Sequence, residues 1–95
     1  MIVISYDVAT SSEGGPKRLR RIAKECKNFG WRVQKSVFEC DLDPTLWATL
    51  KLRLLDIYDP KEDSLRFYYL GSNWKGDIEH HGAKASLDPD EPIVI

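Results

Sequence analysis

The topology turns on residues 31–40, WRVQKSVFEC. Val33 and Val37 fall on one face of an extended segment, and Phe38 breaks the strict alternation. The stretch reads as one strand between two helices. Upstream, Leu19, Ile22, Ala23, Cys26 and Phe29 recur at steps of three and four, the apolar stripe of a helix. Pro16 suits the first turn of that helix, and Gly30 its end. Downstream, Asp43 is an N-cap followed by Pro44 at the first helical position. Leu46, Trp47, Leu50, Leu54 and Ile57 then give a second amphipathic helix that stops before Pro60.

The flanks supply the other strands. Ile2 to Val8, IVISYDV, is β-branched and aromatic. A small polar loop ending in Gly14-Gly15 follows it. Asp63 to Leu70, DSLRFYYL, places Leu65, Phe67 and Tyr69 on one face and Arg66 and Tyr68 on the other. A weaker strand is expected around Ile78, within Asn73 to His80. Read literally the order is βαβαββ, close to the βαββαβ of ferredoxin-like folds. The expected fold class is α+β: a two-layer sandwich with two helices on one face of a four-stranded antiparallel sheet. The last residues, Pro92 to Ile95 (PIVI), form a short apolar strand with no evident partner in the chain. Such a strand is suited to the sheet edge of a second copy.

Ninety-five residues leave room for a single domain, 1–95, with a core over about 1–80 and a dimerisation tail over 81–95. Hydrophobic residues at 42% and charged residues at 31% are ordinary for a folded chain. Apolar runs are too short to span a membrane. The N-terminus has no basic n-region and carries Asp7 inside its apolar stretch, unlike a signal peptide. Cys26 and Cys40 are too few for a disulfide framework, and zinc spacing is absent. A cytoplasmic protein with reduced thiols is expected.

The formal charge of −1 argues at first against nucleic acid, but it hides a division. Between Pro16 and Lys35, eight basic residues face only Glu25, a balance of +7. Residues 39–63 and 77–95 each balance to −4. Lys17, Arg18, Arg20 and Arg21 crowd the start of the first helix, where the macrodipole favours anions. A charge run is commonly a solvated face. Placed against the dipole, this one suits phosphates, with Arg18, Arg20, Arg21, Lys24, Lys27 and Arg32 as ligands.

Asp7 is the one acid of its strand. It can cap the following loop or face a metal. Ser5 and Ser36 are alternative phosphate ligands, or structural. His80 and His81 are expected in a polar loop facing solvent, and Cys26 and Trp47 in the core. Trp31 and Trp74 could stack bases or pack at an interface.

Three blocks, SYDV at 5–8, GWRVQKSVFEC at 30–40 and DSLRFYYL at 63–70, resemble the Cas-two family of small CRISPR-associated adaptation proteins. The resemblance covers almost the whole chain. The GGPKRLRRIAK block resembles the subgroup found with type I-C-like systems. The resemblance implies a ferredoxin-like homodimer with the C-terminal strand exchanged into the partner's sheet. It implies a role in spacer acquisition beside the CRISPR integrase subunit, and contact with double-stranded DNA. For some members it implies magnesium-dependent endonuclease activity on RNA or double-stranded DNA. By the same likeness Asp7 is the catalytic and metal-binding residue, with Tyr6 and Phe38 supporting it. Arg18, Arg20 and Arg32 match the family's arginines. A single carboxylate is a poor Mg²⁺ site, whereas two copies of Asp7 across a dimer axis would favour a cation between them. A non-catalytic DNA-bridging scaffold is the competing function. A ferredoxin-like small-molecule regulator is a third, and has only Gly14-Gly15 as a phosphate loop.

Overall fold

A computed structural model describes residues 1–71 and 78–83. Its elements are β1 (Ile2–Asp7), α1 (Gly15–Phe29), β2 (Trp31–Gln34), β3 (Val37–Cys40), α2 (Pro44–Ile57), β4 (Ser64–Tyr69) and β5 (Ile78–Gly82). Residues 31–40 are therefore two strands, not one. Lys35 and Ser36 make the turn, and the pairing shifts register between Arg32 and Gln34. A turn of lysine and serine lacks the Asn-Gly or Asp-Gly signature of a tight hairpin, which is why the sequence hides it. The order becomes βαββαββ: the ferredoxin-like unit with one further edge strand.

The sheet runs β2-β3-β1-β4-β5, and every neighbouring pair is antiparallel. Among the described residues it has five strands rather than the four expected. The second strand lies parallel to β1 but across β3, at the sheet edge. The expected weak strand is β5, starting at Ile78; the part of that expectation over 73–77, with Trp74, lies outside the described residues, as does PIVI.

Both helices pack on one face. Ile2, Ile4 and Tyr6 of β1 meet Phe38, Leu65 and Phe67 there, under Ile22 and Cys26 of α1 and Leu50 and Leu54 of α2. Trp47 stands edge-on to Phe67, with centroids 4.8 Å apart, and its indole N–H donates to the Tyr69 hydroxyl at 3.3 Å. As expected, Leu65, Phe67 and Tyr69 are buried together. Leu46 is not on the buried stripe of α2. It is 46% exposed, because it lies about 100° around the helix from Trp47. Asp43 caps α2 by accepting from the Leu46 amide at 2.8 Å. The helix-free face carries Val3, Ser5, Val37, Glu39 and Arg66.

Gly30 ends α1 for a different reason than a left-handed cap. Its φ is −158°, ordinary extended backbone. A Cβ there would stand 2.2 Å from the Glu39 carbonyl oxygen and 2.6 Å from Cys40 Sγ, so glycine lets the helix end press onto β3. Gly15 does the same at the other end, where a Cβ would lie 2.2 Å from the Ala9 carbonyl oxygen. Cys26 and Cys40 are free and buried, and burial pushes their thiols up to about 12 and about 11. Among the described residues no helix is long and apolar enough to cross a membrane.

Candidate nucleic-acid interface

Asp7 is the last residue of β1, opposite Ser64 of β4, and its side chain is exposed. Strand alternation turns it to the helix-free face with Val3 and Ser5. Tyr6, one residue earlier, points the other way into the core, 5% exposed. Its ring stacks on Phe38 at 6.2 Å, and the Arg32 guanidinium lies 5.1 Å over Phe38 on the same side. Burial raises the Tyr6 phenol above its ordinary value, and a hydrogen bond with Arg32 opposes that rise. Tyr6 and Phe38 thus pin β1 to the β2–β3 hairpin beneath the exposed carboxylate.

The loop after Asp7 is held by a group the sequence reading passed over. Asp63, just before β4, is fully buried and accepts four hydrogen bonds. Its Oδ1 takes the Ala9 amide at 3.0 Å and Arg18 Nη2 at 3.2 Å. Its Oδ2 takes Arg18 Nε at 2.8 Å and the Asp59 amide at 2.9 Å. Burial alone would raise this carboxyl, but Arg18 and the two amides outweigh it and hold it below its ordinary value. The signal in the sequence is an acid directly ahead of an apolar strand.

Arg18 accordingly differs from the other basic residues of α1. Its side chain is 14% exposed and also donates to the Glu13 carbonyl at 2.8 Å and the Ser12 hydroxyl at 2.8 Å. Four of its hydrogen bonds go to the β1–α1 loop and Asp63. Lys17, Arg20, Arg21, Lys24 and Lys27 are exposed, and no ion pair to a carboxylate engages them among the described residues. At 100° per residue they share the side of α1 opposite Ile22. Glu25, the one acid of α1, pairs with Arg53 of α2 at 3.3 Å. Arg32 is exposed at the hairpin.

The histidines lie on β5 rather than in a solvent loop, and they face opposite ways. His80 accepts from Arg66 Nε at 3.1 Å on the helix-free face. His81 contacts Glu79 on the helix side, where Lys51 and the Tyr69 hydroxyl also converge on Glu79 at 2.5 and 2.9 Å. Burial would raise Glu79, but Lys51, His81 and Tyr69 pull it down to about 2. Among the described residues no group of three or more His, Cys, Asp or Glu side chains could hold a metal ion. Asp7 is an exposed single carboxylate, and one carboxylate alone is a poor Mg²⁺ site.

These features define a class: a small ferredoxin-like domain with a carboxylate at the end of its central strand and a basic first helix. Residues 1–78 match the family model described as CRISPR associated protein Cas2, and the chain belongs to that family. It is 55% identical over 95 residues to the CRISPR-associated endoribonuclease Cas2 of Nitratidesulfovibrio vulgaris, covering all of this chain and 93% of the relative. It is 53% identical to the CRISPR-associated endonuclease Cas2 of Halalkalibacterium halodurans, covering all of this chain and 99% of the relative. The crystal structure of Streptococcus pyogenes Cas2 superposes with a TM-score of 0.69 at 50% identity, over 78% of this chain and 89% of that one.

Proposed function

We propose that this chain is a CRISPR adaptation subunit that hydrolyses phosphodiester bonds of RNA or double-stranded DNA as a homodimer. Asp7 from each of two copies would hold a Mg²⁺ ion, which would supply Lewis-acid stabilisation of charge at phosphorus and orient a water. The observation that carries the reading is the exposed Asp7 at the end of β1, on a face without helices. That face also carries a groove of about 110 Å³ lined by Val3, Val33 and Val37 with Gln34 and Glu39 beside them; Val33 is 51% exposed, and the valines suit a second copy. Names of relatives support nuclease chemistry and differ on substrate, endoribonuclease in one and endonuclease in another. Metal-titrated cleavage by purified Asp7→Ala protein is the test. Cleavage should vanish while the sedimenting species stays the same; undiminished cleavage rejects Asp7.

A second reading has its own observation. The outer side of α1 presents Lys17, Arg21, Lys24 and Lys27 without carboxylate partners among the described residues. That pattern supports a DNA-bridging scaffold beside the CRISPR integrase subunit, with phosphates along α1. Spacer acquisition separates the two: it should survive Asp7→Ala under the scaffold reading and fail under the catalytic one.

A further inference from the structure

A cavity of about 230 Å³ opens between α1 and the β2–β3 hairpin. Arg20 enters from the helix, and Arg32, Lys35 and Ser36 from the hairpin; Tyr6 and Leu19 form its apolar lining. Among the described residues no carboxylate lines it. Arg20 and Lys35 make no ion pair among the described residues, so three basic residues border the cavity with no counter-charge in its lining. Its volume falls below the ~300 Å³ at which pockets for drug-sized ligands begin. The lining suits one phosphate with the sugar it carries.

We infer that this cavity binds a phosphomonoester, the terminal phosphate of a nucleic-acid strand or of a free mononucleotide. Charge selects the monoester over a backbone diester. A diester carries one negative charge, whereas a terminal phosphate carries about −1.5 to −2 at pH 7, nearer to what three cations neutralise. Arg32 is already oriented: its guanidinium lies 5.1 Å over the Phe38 ring, so less rotamer entropy is lost on binding. The Ser36 hydroxyl adds a neutral donor at the turn. The strand-end form of the inference rests on the nucleic-acid reading above; the mononucleotide form does not.

The test titrates the full chain with thymidine 5′-monophosphate and with thymidine by calorimetry. It also measures binding of one duplex bearing 5′-phosphate, 3′-phosphate or hydroxyl ends. The monophosphate should bind and thymidine should not. Lys35→Gln and Arg20→Gln should each weaken binding about tenfold, the scale of losing one hydrogen bond to a charged group. Both side chains are exposed and unpaired in the described structure, so the variants keep the fold. Lys61→Gln, equally exposed and outside the cavity, should change nothing. Affinity should fall as pH drops below ~6, where the monoester takes up its second proton while Arg20, Arg32 and Lys35 stay charged. Preference for a phosphorylated duplex end identifies the strand as the source; monophosphate binding without that preference identifies the mononucleotide. If neither the monophosphate nor phosphorylated ends bind better than their hydroxyl counterparts, the inference is overturned, whatever the duplex itself does. An equal loss in Lys61→Gln also overturns it, because the attraction would then be general. Monophosphate binding with no duplex binding of any kind would sink the nucleic-acid reading and leave this site standing.

Discussion

Asp63→Asn is the sharpest test of how the Asp7 loop is held. The change is isosteric, yet the four donors around Asp63 leave no good place for an amide nitrogen. If the NH₂ takes the Oδ1 position it faces the Ala9 N–H and Arg18 Nη2. If it takes the Oδ2 position it faces the Asp59 N–H and Arg18 Nε. Either way two of four bonds become donor against donor, and the arginine loses its counter-charge. An unsatisfied buried donor costs about 1–3 kcal/mol. Breaking one side of a buried ion pair costs about 3–5 kcal/mol. A net loss of about 3 kcal/mol follows, a large share of the ~5–15 kcal/mol that a domain has. Thermal unfolding by circular dichroism, at one fixed protein concentration, should shift down by roughly 12–24 °C for a chain of this size. The pH profile adds a check. Asp63 is held below its ordinary 3.8, so its contribution is complete above that value and is lost as pH falls through the lower folded-state value. The gap between wild type and variant should be flat above pH ~5 and close in stronger acid. A variant within about 1 kcal/mol of wild type at pH 7 would mean that the cluster holds nothing, and the reasoning would fail.

Three further outcomes are expected. Glu79→Gln should cost about 1 kcal/mol at pH 7, because its partners are partly solvated, as urea unfolding would read. Since Glu79 is held at about 2 rather than 4.5, that difference should be present above pH ~4.5 and vanish as pH falls towards 2; a difference undiminished at pH 2 refutes the assignment. Gly30→Ala should destabilise by about 1–3 kcal/mol through overpacking against Glu39 and Cys40, and an unchanged denaturation midpoint would contradict the close approach. Reversing Lys24 and Lys27 to glutamate should lower the salt slope of duplex binding by at least about two without moving the melting temperature; an unaltered slope excludes α1 from the phosphate contacts.

The two helices and three of the strands were legible because their signals are local. The three-and-four spacing from Leu19 to Phe29, the Asp43-Pro44 cap and the alternation of DSLRFYYL each need no partner to be read. The hairpin at Lys35-Ser36 was not legible, since its turn is set by the cross-strand pairing of Trp31 and Arg32 with Glu39 and Phe38 rather than by turn chemistry. Leu46 misled for the opposite reason. It is apolar and beside the stripe, but only angular position decides burial. Of the site, Asp7 and the basic side of α1 were visible in the sequence. The Arg18–Asp63 pair joins residues 45 apart, and nothing along the chain announces it.

Register explains why the chemistry-bearing residues gather at one end of the sandwich. The last residue of β1 is Asp7; antiparallel pairing sets the end of β1 beside the start of β3 and the start of β4. The Tyr6 amide donates to the Ser36 carbonyl at 3.1 Å, which brings the hairpin turn to that same end. The seven residues from Val8 to Gly14 return the chain directly into α1, so Lys17, Arg20 and Arg21 start there as well. The opposite end holds Cys40, Asp41 and Asp43, where β3 leads into α2. A polyanion held by the basic residues at the start of α1 would therefore lie at the same end of the sandwich as Asp7, and a strand wrapping that end would bring its phosphate oxygens towards the carboxylate. Like charges then meet, and a divalent cation lowers the energy of that encounter more than it would stabilise Asp7 alone. On this electrostatic ground metal affinity should rise in the presence of nucleic acid, and by reciprocity nucleic-acid affinity should rise with the metal by the same factor. Substituting Asp7 by alanine should abolish that coupling while leaving salt-dependent binding through α1 in place.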